Sequence, residues 1–176
     1  MPLDNNVIDA RRAADDASTF GSMLALNATH EVELSALSPG KLRHLLQEAF
    51  AAYRIGDVDA FLIGFDQTAN YTGSNFLWFR ERFERFVYVD RIVVAAKARG
   101  QGHARRLYEQ LFELARQAGH EWIGCEVNST PPNPGSDAFH RALGFSRIGA
   151  GRVPGSSKTV RYLMRQLAPA PPRGDG

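Results

Sequence analysis

The chain has 176 residues, 44% of them apolar and 23% charged, with a formal net charge of +2. That length suits one domain with its own core, and the composition is globular rather than disordered or fibrous. Its 21 basic residues form no run suited to a polyanion, and no apolar stretch approaches the roughly 20 residues of a membrane span, so neither nucleic acid nor a membrane is expected as a partner.

Residues 1–22 are mostly small and polar and read as a loose tail. They lack the apolar stretch of a signal peptide, and Asp4, Asp9, Asp15 and Asp16 argue against a transit peptide, so a cytoplasmic location is expected. Met23 to Asn27 reads as a first strand. Ser38 then caps a helix with Pro39 in its first turn, and Leu42, Leu45, Leu46 and Phe50 share one face. Tyr53 and Ile55, the Gly56-Asp57 turn and Ala60 to Phe65 predict a hairpin. The stretch Asp66 to Glu84 sets Tyr71, Phe76, Trp78, Phe79 and Phe83 among polar residues. Their spacing suits a short helix packed into the core, or a lid over a pocket.

Phe86 to Val94 is a fourth strand, Arg105 to Gln117 a helix ending at Gly119, and Trp122 to Val127 a fifth strand. A loop over 128–134 leads into a helix from Ser136 to Leu143. Strands near 145–153 and 159–164 precede a Pro/Gly-rich tail over 169–176, so the domain itself spans 23–168. The single cysteine, Cys125, excludes an internal disulfide and reads as a small buried hydrophobe. It has no ligand-spaced partners, so no metal is expected. His30, His44 and His120 stand in no pattern and read as surface residues.

The chemistry concentrates where the fourth strand meets its helix. A β-branched run ends, Gly100 and Gly102 follow, and a helix opens with Leu107, Leu111 and Leu114 on one stripe. The glycines let backbone approach a ligand closely, and the helix start presents free N–H groups and a partial positive charge. This makes an anion site suited to a phosphate or pyrophosphate. No Gly-x4-Gly-Lys-Ser/Thr string occurs, and Arg105 stands where a dinucleotide loop needs its third glycine.

Arg99, Gly102 and Ala104 instead fit Gln/Arg-x-x-Gly-x-Gly/Ala. Asn133, Ser136, Phe139, Gly144 and Phe145 fit Asn-x-x-Ala/Ser-x-x-Phe-Tyr followed by Gly-Phe, with His140 at the tyrosine position. On these two motifs the chain, over roughly 24–167, resembles the GCN5-related N-acetyltransferases. The resemblance implies an α/β fold: a mixed central sheet of six or seven strands, helices on both faces, and a splay between the fourth and fifth strands. It implies acetyl-CoA as cosubstrate, with pantetheine along Ile92, Val93 and Val94 and a backbone N–H near Val93 facing the thioester oxygen. The phosphates would meet Arg99, Gly100, Gln101, Gly102, His103, Ala104 and Arg105, with Asn133 also at the cofactor.

An acceptor amine is protonated at neutral pH and must lose a proton before attack. Glu126 is the first candidate base, because a charge in an apolar strand is costly unless paired or functional. It resembles a glutamate of the acetyltransferases of ribosomal-protein N-termini. Asp90 is the second candidate, against a salt bridge to Arg91 or a turn of the lid. His140 is the candidate acid at the leaving thiolate, against a structural role. The reading is an N-acetyltransferase that moves an acetyl group to a small-molecule amine by direct attack in a ternary complex. The alternative is a non-catalytic CoA or acyl-CoA sensor of the same fold. The acceptor's identity and assembly as a homodimer are left open.

Overall fold

The computed structural model describes residues 6–169. Seven strands form one mixed sheet: β1 (Val7–Asp9), β2 (Ala51–Ile55), β3 (Ala60–Asp66), β4 (Val87–Val94), β5 (Trp122–Thr130), β6 (Ser146–Arg152) and β7 (Thr159–Gln166). Their order is β1-β2-β3-β4-β5-β7-β6. Every neighbouring pair is antiparallel except β4–β5. A parallel pair needs a crossover, which helix α4 (His103–Gln117) supplies.

The centre of the sheet is buried on both faces, and alternation along β3 divides its side chains between them. Phe61, Ile63 and Phe65 join one cluster, under α1 (Ala17–Ala28), α2 (Pro39–Glu48) and α3 (Ser74–Arg80). Ala60 and Leu62 join the other, with α4 and the C-terminal end of α5 (Pro134–Ala142). This is the mixed sheet with helices on both faces that the sequence led us to expect.

The N-terminal segment differs from expectation. Residues 17–28 are helical, so the strand expected at Met23 to Asn27 is the second half of α1. The Asp16 side chain accepts from the Ser18 amide and the Thr19 hydroxyl, which caps the helix. Phe20, Met23 and Asn27 then recur on one buried stripe that crosses the boundary drawn at residue 23. Nor is the stretch before it a loose tail, since Val7–Asp9 pairs with Tyr53 to Ile55 at the sheet edge. Residues 1–5 and 170–176, parts of the two expected tails, lie outside the described residues.

Smaller differences have two causes, a local cap and partners distant in sequence. The helix expected from Ser136 starts at Pro134, because the Asn133 side chain accepts from the Ser136 amide. The fifth strand runs on to Thr130, because Val127, Asn128 and Thr130 pair with β7. His120, expected at the surface, is buried with its ring edge-on to Phe50. Among the described residues no helix is long and apolar enough to cross a membrane.

The aromatic segment forms α3 and packs inward. Phe76 and Phe79 are fully buried, and Trp78 stacks on Tyr162 with centroids 3.9 Å apart. Phe79 lies flush on β5 at Gly124, where a Cβ would stand 2.5 Å from the ring. Gly124→Ala is therefore expected to lower stability by about 1–3 kcal/mol through overpacking, read from the urea midpoint.

Candidate active site

β4 and β5 pair only at Val87↔Ile123 and Tyr88↔Gly124 and then diverge. Beyond that point each strand keeps its outer partner and has a free inner edge. The gap opens into a cavity of about 790 Å³ lined by both strands, the glycine loop, α4 and α5. A second cavity of about 370 Å³ lies on the other side, between α3, the α1–α2 loop and the β6–β7 loop. Glu33, Leu34, Asp90, Arg91, Glu126 and Asn128 line both.

Most residues expected at the cofactor lie around the larger cavity. Ile92 and Val94 face it, whereas Val93 turns its side chain into the core and can offer only main chain. Arg99, Gly100 and Gly102 form the turn at one end, with φ +77° and +78° at the glycines. Gly102 caps α4 without a side-chain hydrogen bond, so the first backbone N–H groups of the helix have no side-chain acceptor, and the buried His103 Nδ1 beside them has no hydrogen-bond partner. Ala104, Arg105 and Asn133 also line the wall. Gln101 does not; its amide instead approaches the Lys97 carbonyl oxygen. The residues present thus fit a phosphate at the turn.

Glu126 stands on β5 where the two cavities meet. Tyr88 donates to its Oε2 at 2.6 Å and Asn75 to its Oε1 at 3.0 Å, while the Tyr162 hydroxyl donates to Asn75. Burial pushes its pKa up to about 8, with the Tyr88 hydrogen bond opposing and nearby Asp90 reinforcing the rise. The hydroxyl and amide donors bring no formal positive charge, so the carboxyl remains free to exchange a proton.

Asp90 is placed differently. Between Ile63↔Arg91 and Gly64↔Val89 the β3–β4 register slips, and Asp90 is the extra residue of a bulge in β4. Its carboxylate accepts from Arg91 Nε at 2.7 Å and from the Tyr71 hydroxyl at 2.7 Å. Both charged side chains are almost wholly buried, with exposures of 2% for Arg91 and 5% for Asp90. Arg91 also donates to Asn27 and to the carbonyl and hydroxyl oxygens of Ser35. This ties β4 to the α1–α2 loop. Asn128 holds the same loop from β5 through the Glu33 carbonyl, and Arg99 reaches it at His30. The loop therefore straps the mouth of the gap.

His140 lies on α5 in the wall of the larger cavity, 2.7 Å from the Tyr108 hydroxyl through Nε2. Cys125 is buried, and burial raises its thiol pKa well above the ordinary value, against a thiolate nucleophile. Sequence reasoning missed Asn75, Tyr88 and Tyr108, whereas the pairing of Asp90 with Arg91 was one of its alternatives. Only the alternation of Tyr88 with Asp90 along β4 pointed at one of them.

The family model described as the Acetyltransferase (GNAT) family matches residues 29–145. No curated protein matches the chain. Its fold is similar to that of the ribosomal-protein-S18-alanine N-acetyltransferase of Escherichia coli (TM-score 0.64, 15% identity, covering 95% of this chain and 96% of that one). It is similar also to the ribosomal-protein-alanine N-acetyltransferase of Brucella melitensis (0.66, 18%, 92% and 99%). A chain of the NatC complex bound to Gag peptide and CoA is a third (0.69, 15%, 93% and 99%).

The two carboxylates should separate by stability. Asp90→Asn leaves the buried Arg91 charge without its counter-ion and is expected to cost about 3–5 kcal/mol by chemical denaturation. Glu126→Gln, which keeps the shape and strands no charge, is expected to cost far less.

Proposed function

The chain belongs to the GNAT acetyltransferase family and is an acyltransferase; on that premise we propose that it transfers an acetyl group from acetyl-CoA to the amine of a small molecule by direct attack. The observation that carries the reading is Glu126 at the junction of the two cavities, with a proton affinity close to the working pH. The larger cavity would take the cosubstrate, with its phosphates at the start of α4 and pantetheine along the free edge at Ile92 to Val94. That group supplies an activated acyl carbon. The smaller cavity, at the lower end of the size range for small-molecule sites, would take the acceptor.

Glu126 accepts the proton that the acceptor nitrogen must lose, and Tyr88 and Asn75 hold its carboxylate in place. As the nitrogen–carbon bond forms, the electron pair of the broken C–S bond passes to sulfur, and the proton on Glu126 is released to solvent. Asp90 acts through Arg91 and Tyr71, as a positioning residue for the strap and the acceptor pocket. A carboxylate tuned in this way has no use in a sensor, which favours the enzyme over that alternative.

Two measurements test the proposal. Ala104 is at the second position of α4, where a glutamate favours the helix dipole but opposes a bound phosphate. Ala104→Glu is therefore expected to weaken CoA binding about tenfold or more by calorimetry while leaving the melting temperature unchanged or higher. Unchanged affinity would place the phosphates elsewhere.

Glu126→Gln should lower turnover by about 10²–10⁴-fold. In wild type kcat/KM should rise with pH and level off above about 8, as the carboxyl becomes the base, and the variant should lose that limb. Stability carries the complementary sign. The folded pKa lies above the ordinary carboxylate value, so the contribution of Glu126 is present in acid and lost as the pH rises through about 8. The variant, neutral throughout, should be the more stable protein above that pH. A normal rate in the glutamine variant would remove Glu126 from the reaction.

A further inference from the structure

His140 holds the place where the family motif has a tyrosine, yet its ring is fully committed. Nδ1 lies 2.8 Å from the Ser136 carbonyl oxygen, which can only accept, so Nδ1 carries the proton. Nε2 is then the acceptor of the 2.7 Å bond to the Tyr108 hydroxyl. Burial holds the imidazole below its ordinary pKa, which favours this neutral form. A neutral His140 in this pose has no proton to present to the cavity.

Tyr108 does. Its ring packs among Phe112, Phe139 and Phe145, and its hydroxyl meets His140 and the Cys125 thiol in the wall of the larger cavity. An imidazole is shorter than a phenol, and here the hydrogen bond beyond Nε2 extends it and ends in a hydroxyl. If the phosphates sit at the glycine loop and the nitrogen attacks beside Glu126, the sulfur lies between those two points, along the wall that Cys125 and Tyr108 form.

Resting on the acetyl-CoA reading, we infer that Tyr108 is a catalytic residue: its hydroxyl donates a hydrogen bond to the sulfur as the C–S bond breaks, and His140, which accepts from that hydroxyl in the resting site, is the residue that positions it beforehand. The hydroxyl turns from a neutral nitrogen to a developing anion, exchanging a neutral hydrogen bond for a charge-assisted one. Tyr108 keeps its proton, because burial raises its pKa well above that of a free phenol. The thiolate takes a proton from solvent, and the proton lost by the nitrogen leaves through Glu126.

CoA itself is the probe, and no acceptor is needed. Thiolate absorbance of the protein–CoA complex, with the desulfo-CoA complex subtracted to cancel Cys125 and the tyrosines, reports ionisation of the bound thiol. In Tyr108→Phe that ionisation is expected about one to two pH units higher than in wild type, the equivalent of one hydrogen bond to a charged group. Turnover should fall about tenfold to a hundredfold with little change in KM for acetyl-CoA. His140→Gln, whose amide oxygen can accept from the same hydroxyl, should titrate like wild type, and His140→Phe should move toward Tyr108→Phe. A His140→Phe protein titrating like wild type would overturn the positioning role. Coincident titrations of wild type and a CoA-binding Tyr108→Phe protein overturn the whole inference while leaving the cofactor reading intact.

Should the phenylalanine variant not fold, wild type decides. A donor to the thiolate makes the affinity ratio of CoA to desulfo-CoA rise as the thiol ionises, and a flat or falling ratio overturns the inference. A wild-type protein that binds neither compound overturns the acetyl-CoA reading and this one with it.

Discussion

Parallel pairing between β4 and β5 is abandoned after two residue pairs, and most of the site follows from that. Two strands that part company leave backbone groups without partners, which at an outer edge would invite association with another chain. Here the unpaired edges are internal. They face a cavity, and a ligand with its own amide groups can complete them. The crossover that a parallel pair requires also places the start of α4 at the end of β4. The glycine turn and the free strand edge are thus consecutive in sequence and line the same cavity.

The buried Asp90–Arg91 pair borders the gap and ties its strand to the α1–α2 loop. A bulge delivers both side chains to one place, and Arg91 spends its remaining donors on Asn27 and Ser35. The α1–α2 loop is then fixed to β4 by Arg91 and to β5 by Asn128. Two carboxylates close in space consequently have opposite characters. Asp90 faces the Arg91 guanidinium and is paired with it. Glu126 faces hydroxyl and amide donors, and desolvation brings it near neutrality at physiological pH.

The aromatic helix α3 links core packing to that chemistry. Phe76 and Phe79 anchor it on the sheet, and Gly124 allows the close approach. Asn75, on the same helix, reaches Glu126 and is itself held by Tyr162, which stacks on Trp78. Of the two roles the sequence allowed for this segment, core or lid, it fills the first directly. Through Asn75 it also takes part in lining the smaller cavity.

The sequence by itself determined the features written in short-range periodicity and turn chemistry. The run from β4 through the glycines into α4 is local, so the strand, the glycine turn and the helix were legible together. Glu126 was legible because a carboxylate in an apolar strand is anomalous without any partner in view. The extent of α1, the pairing of β1, and the ties of Asp90 to Tyr71 and of Arg91 to Asn27 and Ser35 depend on residues far apart in the chain, and local pattern carries no record of them. For His140, sequence named a substitution but could not say which proton its ring carries. That was decided by the Ser136 carbonyl on one side and the Tyr108 hydroxyl, from another helix, on the other. Protonation state is a property of the surroundings, and only the tertiary structure assembles them.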